Sequence, residues 1–426
     1  MEFINFLVTD IFRKPPLFLG IIAMIGLILQ RRGISDIVKG TIKTIIGVII
    51  LTEGVNIIVK AIEPLGKAFT SIFSLSGTNE LKDIIPMNNF IDTYGSYIGI
   101  IMVLAFVINL LFAKFTKMKS IFLTGHIFFW MAFICLASGV YGGLKGFNLI
   151  LFSTIFLSIY IIVSPMLIKP FVKKVTGNDS FTIGHTTVFL SLIGALAGKA
   201  FGNKEKSIED INLPKGLDFL RDTTIMTGIV MFLVYLVTSL VLGFEGRISI
   251  FGVENARISS SIVFSLMQGL TFGAGLTILL MGVRLMISEI VISFKGIADR
   301  FIKDSIPALD IPVIFPYSPN ALLIGFVVSM ISSIITIFII GYFKLTNIAI
   351  IPLTVACFFD AGPAAIFGNA TGGRRGAIIA SVLSGALLIV FNVISIKIMG
   401  NIVPDFLQAF GGNDFSIWTI IMNLFN

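Results

Sequence analysis

The chain has 426 residues and only two histidines, His126 and His185. Each follows a glycine inside an apolar run, LTGHIFFW at 123–130 and FTIGH at 181–185. A third ionisable group, Asp310, sits among the prolines of DSIPALDIPVIFPYSPN, residues 304–320. A neutral imidazole offers one donor and one acceptor, and a carboxylate accepts several hydroxyl protons, so the three together suit a polyhydroxylated solute. Trp130, one helical turn after His126, is placed to stack on a sugar ring or to serve as ordinary packing or an interfacial anchor. Taken singly, a histidine near a helix end or an aspartate capping a helix is as readily structural. What favours a site is that all three fall in segments whose sequence reads as broken. Glu53 and Glu289 are further carboxylates in apolar surroundings, each able to pair with a cation on a neighbouring helix. Asn320 and Asn369, beside Pro and Gly, read as turn residues.

Other chemistries find no support. The chain lacks a GxxxxGK[ST] phosphate loop and an HExxH pair, and Cys135 and Cys357 lie far apart in apolar runs without CxxC spacing. Neither a metal, a cofactor nor a thiol active site is expected. GGRRG at 372–376 reads as a basic loop.

The elements that must hold these residues are set by composition. With 56% hydrophobic and 13% charged residues and 41 phenylalanines, the chain lies outside the range of soluble domains. Its apolar stretches run to about twenty residues, enough for a helix to cross a hydrocarbon core about 30 Å thick, and they lack the alternation of a barrel strand. The formal charge of +8 is spread over loops rather than gathered on one face, which argues against nucleic acid. The opening MEFINFLVTDIFRKPP lacks a small-residue cleavage site and reads as part of the mature chain.

Spans are expected near 16–30, 41–62, 97–113, 121–140, 147–168, 223–243, 260–293, 321–342, 348–369 and 377–399, with a short last piece at 416–426. That makes about eleven transmembrane helices in an all-α membrane protein. Arg31, Arg32 and Lys39, then Lys114, Lys117 and Lys119, then Lys169, Lys173 and Lys174, then Arg374 and Arg375 follow alternate spans. The positive-inside rule makes these loops cytoplasmic, the N-terminus outside and the C-terminus inside. Residues 181–200 are too short and glycine-punctuated for a crossing and fit a re-entrant hairpin. Residues 304–320 and 359–376 read as extended or interrupted, which at membrane depth is tolerated only inside protein or along a wet cavity. The runs ILTEGVNIIVKAIEPLGKAF (50–69) and LLMGVRLMISEIVISFKGIADRF (279–301) share a Gly-Val start and a Gly-x-Ala or Gly-Ile-Ala step ending in Phe. With opposite directions in the membrane they suggest two inverted repeats, approximately 16–200 and 223–399, within a single domain over 1–426.

KGTIKTIIG (39–47), FLTGH (122–126), FTIGH (181–185), SIEDINLP (207–214), ALD (308–310) and YSPNA (317–321) stand in the order and spacing of a known family. The chain resembles the ascorbate-type IIC permeases of the bacterial phosphoenolpyruvate:sugar phosphotransferase system (PTS) along nearly its whole length. The resemblance implies eleven spans, two inverted repeats, a core domain carrying the sugar, and a scaffold domain forming a homodimer. It also implies an elevator-like movement and residence in the bacterial cell membrane. The family's sugar contacts fall on His126, His185 and Asp310. The chain departs at two places, with Trp130 and Thr186 where ascorbate binders carry glutamine, and a Thr-Tyr pair before the third span is missing from Gly77 to Asp83. Each lost carboxamide bond is worth about 0.5–1.5 kcal/mol, which points to a sugar or sugar acid other than ascorbate.

The expected function is thus a permease whose sugar is phosphorylated by a separate cytoplasmic IIB protein, with Asp310 or His185 as base for the accepting hydroxyl. The permease carries no self-contained active site. Residues 202–222 with Arg374 and Arg375 are the expected IIB docking surface, or simply solvated loops. The rival expectation is an ion-coupled secondary transporter using Glu53, Glu289 or Asp310 for protons. A membrane scaffold with a vestigial site is the third.

Overall fold

Runs of Ile, Leu, Val and Phe at this length fold as helices because lipid offers backbone groups no partner except the next turn. The computed structural model describes residues 14–74, 84–211, 219, 222–253, 257–302, 304–346 and 350–425. Helices α1 (Pro15–Leu29), α2 (Ile34–Ile72), α3 (Met87–Phe115), α4 (Gly125–Tyr141), α5 (Gly146–Thr176) and α6 (Val188–Phe201) form the first half. The second half holds α7 (Thr223–Ser249), α8 (Ile258–Phe301), α9 (Pro319–Tyr342), α10 (Gly362–Met399), α11 (Pro404–Phe410) and α12 (Asp414–Asn423). Among the described residues, seven helical stretches are long and apolar enough to cross a membrane. The larger number of spans expected from sequence differs for definite reasons. The segments at 16–30, 121–140 and 416–426 form helices of 15, 17 and 10 residues, and those at 348–369 and 377–399 are the two arms of one apolar stretch, Thr354–Met399, that folds back on itself at Gly372 and Gly373. Large apolar side chains such as Ile42, Ile46, Ile49, Leu233, Val237 and Leu240 face outward along α2 and α7, as lipid-facing surfaces do. This is a mostly helical, multi-pass membrane protein.

Helices α2 and α8 cross at glycines. A Cβ on Gly54 would strike the backbone of Leu279, and one on Gly282 would strike the backbone of Leu51. Each glycine thus meets the residue three places before its counterpart. Tyr235 of α7 closes this group by donating its hydroxyl to the Ala61 carbonyl.

A second group packs around α6 and α10. Gly194, Gly198 and Gly202 recur every fourth residue and face Ala364, Gly368 and Gly372 respectively, the small-residue spacing that lets membrane helices approach to backbone contact. Helix α10 is broken at Gly372 and Gly373, the latter at φ +60. The chain reverses there: Ser384 Oγ donates to the Ala361 carbonyl at 3.0 Å, 23 residues away, whereas an unbroken helix would separate them by about 34 Å. Residues 362–371 are therefore a half-helix folded back on 374–399.

The segment SIEDI ties this turn down. Arg374 N–H donates to the Lys206 carbonyl at 2.8 Å, and Asn369 Oδ1 accepts from Ile208 N–H at 3.0 Å. Glu209 accepts from the first N–H groups of α9, Asn320 at 3.1 Å and Ala321 at 2.8 Å. Asn320 and Asn369, which read as turn residues, are clamps for this segment. Beyond the end of α5, Asp179 meets Lys173 at 2.7 Å, and the ammonium holds that exposed carboxyl below its ordinary range.

A three-stranded parallel sheet was not foreseen in an all-helical reading. Its strands are β1 (Ser120–Phe122), β2 (Thr182–Ile183) and β3 (Ile306–Leu309), in the order β1-β3-β2. Runs of two to four residues carry no detectable alternation, so sequence periodicity cannot reveal them.

Candidate functional site

The sheet explains how three distant residues meet. Parallel strands present their carboxyl ends on one edge, and each strand here runs directly into one candidate residue. Ser120 pairs with Ile306 and Phe122 with Ala308 on one side, while Thr182 pairs with Ala308 and Ile183 with Leu309 on the other. The ladder continues past the strands, with Leu123 N–H donating to the Ala308 carbonyl at 3.0 Å and Gly184 N–H to the Leu309 carbonyl at 2.8 Å. His126 then opens α4, His185 follows Gly184, and Asp310 follows β3. Gly184 is required: a Cβ would lie 2.9 Å from the Phe122 ring and 3.2 Å from the Ala308 methyl.

The outer edge of β1 is buried and is satisfied by a side chain. Asn109 of α3, fully buried, donates to the Ser120 carbonyl and accepts from Phe122 N–H, both at 3.0 Å. At β2, Thr182 Oγ1 donates to the Pro165 carbonyl at 2.7 Å.

Asp310 lies between the two rings. Its Oδ2 is 3.9 Å from His126 Nε2 and its Oδ1 is 3.7 Å from His185 Nε2. These gaps exceed a direct hydrogen bond but admit a hydroxyl oxygen about 2.8 Å from both partners. Asp310 also caps the following 3-10 turn, accepting from Ile311 N–H at 2.9 Å. The capping role and the site role thus coincide in one side chain. His126 Nδ1 and Thr124 Oγ1 are buried and without a hydrogen-bond partner, polar capacity that a guest or water would fill. Ligand atoms on His126, His185 and Asp310 lie within 4.8 Å of one another. Two ligands of one tetrahedral zinc stand about 3.4 Å apart, so separations of 3.9 and 3.7 Å suit a bridging hydroxyl as they stand and would have to shorten for a tetrahedral metal ion.

The trio lines a cavity of about 520 Å³, within the range of small-molecule sites. Trp130, Phe315, Phe359, Phe406, Phe410 and Phe415 supply much of its wall, and Leu51, Leu279, Leu280 and Arg284 close it from α2 and α8. Trp130 is present, but one face already stacks on Phe406, with centroids 4.9 Å apart. Thr186 is also at the wall, and its hydroxyl is committed to Asp360 Oδ1 at 2.5 Å. Glu53 is not among the cavity-lining residues and the side chain of Glu289 lies outside the described residues, as does Gly77 to Asp83.

Several groups escaped sequence reasoning. Asp360, in a π-helical turn at Cys357–Ala361, is buried and accepts from Asn413 Nδ2 at 2.9 Å. Asp414 accepts from Tyr160 at 2.9 Å and from Phe189 N–H at 3.1 Å, and its own N–H donates to the Thr186 carbonyl at 3.0 Å. The signal for Asp360 was available as an ionisable residue inside the apolar run TVACFFDAGPAAI. Helix α12 braces the turn after His185 through its first residue, Asp414.

A family model described as the PTS system sugar-specific permease component matches residues 10–412. The chain is also 27% identical over 451 aligned residues to the "Ascorbate-specific PTS system EIIC component" of Mycoplasma pneumoniae, an alignment covering 93% of this chain and 68% of that protein.

Proposed function

Because the chain belongs to the family of PTS sugar-specific permease components, we propose that it carries a sugar or sugar acid across the bacterial inner membrane for phosphorylation by a separate cytoplasmic IIB protein. One observation carries this reading: residues from three segments, each led in by a strand, converge around a cavity of about 520 Å³ at hydroxyl-bridging separations. His126, His185 and Asp310 hold the hydroxyl groups, with Trp130 and Thr186 at the wall. Asp310 or His185 takes the proton of the accepting hydroxyl. The relative's name speaks of ascorbate, yet Trp130 is stacked and Thr186 is engaged with Asp360. Neither offers the free carboxamide that the ascorbate pattern has there, so the sugar is a different one.

The transport reading is an elevator, with a core around α4, α5, α6, α9 and α10 moving against a scaffold of α2, α7 and α8 that forms the homodimer. Its support is the position of the cavity, lined by Leu51, Leu279 and Arg284 on one side and by the trio on the other. The reciprocal glycine contacts of α2 and α8 support two inverted repeats, approximately 16–200 and 223–399, within one domain. The basic loops support an N-terminus outside and a C-terminus inside, and with it a IIB docking surface formed on the cytoplasmic side by residues 202–222, Arg374 and Arg375. The test is uptake by vesicles with and without phosphorylated cognate IIB. Sugar phosphate formed only with IIB is expected and Asp310→Asn abolishes it, whereas accumulation of unmodified solute under a proton gradient alone would establish an ion-coupled transporter instead.

A further inference from the structure

A buried carboxylate stands on the Nδ1 side of the His185 ring. Asp360 Oδ1 lies 3.4 Å from His185 Nδ1, while the Nε2 side faces Asp310 at 3.7 Å. Asp360 is held firmly: Thr186 donates to Oδ1 at 2.5 Å, Asn413 to Oδ2 at 2.9 Å, and the Thr187 hydroxyl to the Asp360 carbonyl at 2.6 Å. The backbone N–H of Thr187 also points at Nδ1, at 3.2 Å.

The Thr186 hydroxyl, 3.4 Å from Nδ1, can serve either ring form, whereas the carboxylate and the amide ask for opposite tautomers. With its proton on Nδ1, the ring donates to Asp360 and turns a free Nε2 lone pair to the cavity. With the proton on Nε2, it accepts from Thr187 and is only a donor toward the guest. A hydrogen bond to an ionised acceptor is about twice as strong as one between neutral groups, and a low local dielectric sharpens the difference. At 3.4 Å the Asp360 contact is an ion-pair separation, and a shift of a few tenths of an ångström brings Nδ1 to a charge-assisted bond in which the carboxylate outweighs the amide.

We propose that Asp360 is a positioning residue for sugar phosphorylation, holding His185 in the Nδ1–H form so that Nε2 is the base; this rests on the function proposed above. In the step, the sugar O–H bond breaks and its proton goes to Nε2. The freed oxygen bonds to phosphorus, the bond from phosphorus to the donor side chain of IIB breaks, and that side chain keeps the electron pair. The imidazolium then lies between Asp360 and Asp310. The other charged or titratable groups nearby are His126 and Arg284 at the cavity wall and Asp414 with Tyr160 beneath Thr186.

The presence of just two histidines makes the test direct. In full-length protein labelled with ¹⁵N-histidine, His126→Asn assigns the signals, and the wild type is expected to show His185 protonated at Nδ1. The double variant Asp360→Asn with Asn413→Asp keeps a carboxylate–amide pair and the oxygen by which residue 413 accepts from Phe415 N–H at 3.1 Å, but moves the charge off His185. It is expected to shift His185 toward Nε2–H and to lower the phosphorylation turnover at saturating sugar with cognate IIB at least about 100-fold. Asp360→Glu restores part of the turnover. A wild-type ring protonated at Nε2, or an exchanged variant with unchanged signature and turnover, overturns the proposal. Should the exchanged variant fail to fold, the wild-type spectrum alone decides. If wild type binds sugar but phospho-IIB yields no sugar phosphate, the transport reading fails while the spectrum still judges the tautomer.

Discussion

Replacing Asn109 by leucine removes a side chain of similar volume's two hydrogen bonds without opening a large cavity. Its amide donates to the Ser120 carbonyl and its oxygen accepts from Phe122 N–H, so the substitution strands two backbone groups of β1 in a fully buried setting. Each such group costs about 1–3 kcal/mol when unmade, and no water is at hand to repay it. The sum is about 2–6 kcal/mol, less whatever β1 recovers by shifting. Because β1 leads into His126, the damage is expected to reach the guest as well. Denaturation in mixed micelles measures the first effect and equilibrium sugar binding the second, with a loss of at least about 2 kcal/mol and weakened binding as the expected pair. A variant with stability within about 0.5 kcal/mol of wild type and unchanged affinity would refute the idea that this side chain supports the sheet edge.

Two further outcomes follow from packing. Gly198→Leu drives a side chain into the Gly368 carbonyl and Thr371 hydroxyl, 2.7 and 2.5 Å from an ideal Cβ; yield of folded protein in detergent is expected to collapse, whereas Gly33→Leu, where a Cβ meets nothing within 4 Å, leaves it intact. Trp130→Ala empties the stack on Phe406 and is expected to cost about 2–3 kcal/mol, below the range for fully buried aromatics because Trp130 is half-buried, as read by the same micelle denaturation.

Much of the site was legible because intramembrane histidines and carboxylates are costly and therefore rare. His126, His185 and Asp310 stood out on that ground, and the structure brings all three together. Proline and glycine marked the broken segments at 181–200, 304–320 and 359–376, since each removes a donor or permits backbone that side chains forbid. The sheet was illegible: strands of two to four residues are chosen by partners 126 and 186 places away, not by local pattern. Asp360 was missed although the same cost argument applied to it. Asn413 and Asp414 drew no reading from the sequence; their roles are set by Asp360, Thr186 and Tyr160, which no spacing rule links to them.

The order of the little sheet has a consequence for synthesis. Its middle strand, β3, is the last of the three to leave the ribosome, and β1 and β2 touch only through it. Until residue 309 has emerged, the amides and carbonyls of the two earlier strands that pair with β3 lack that partner. The guest pocket is consequently absent from every nascent chain that ends before Asp310.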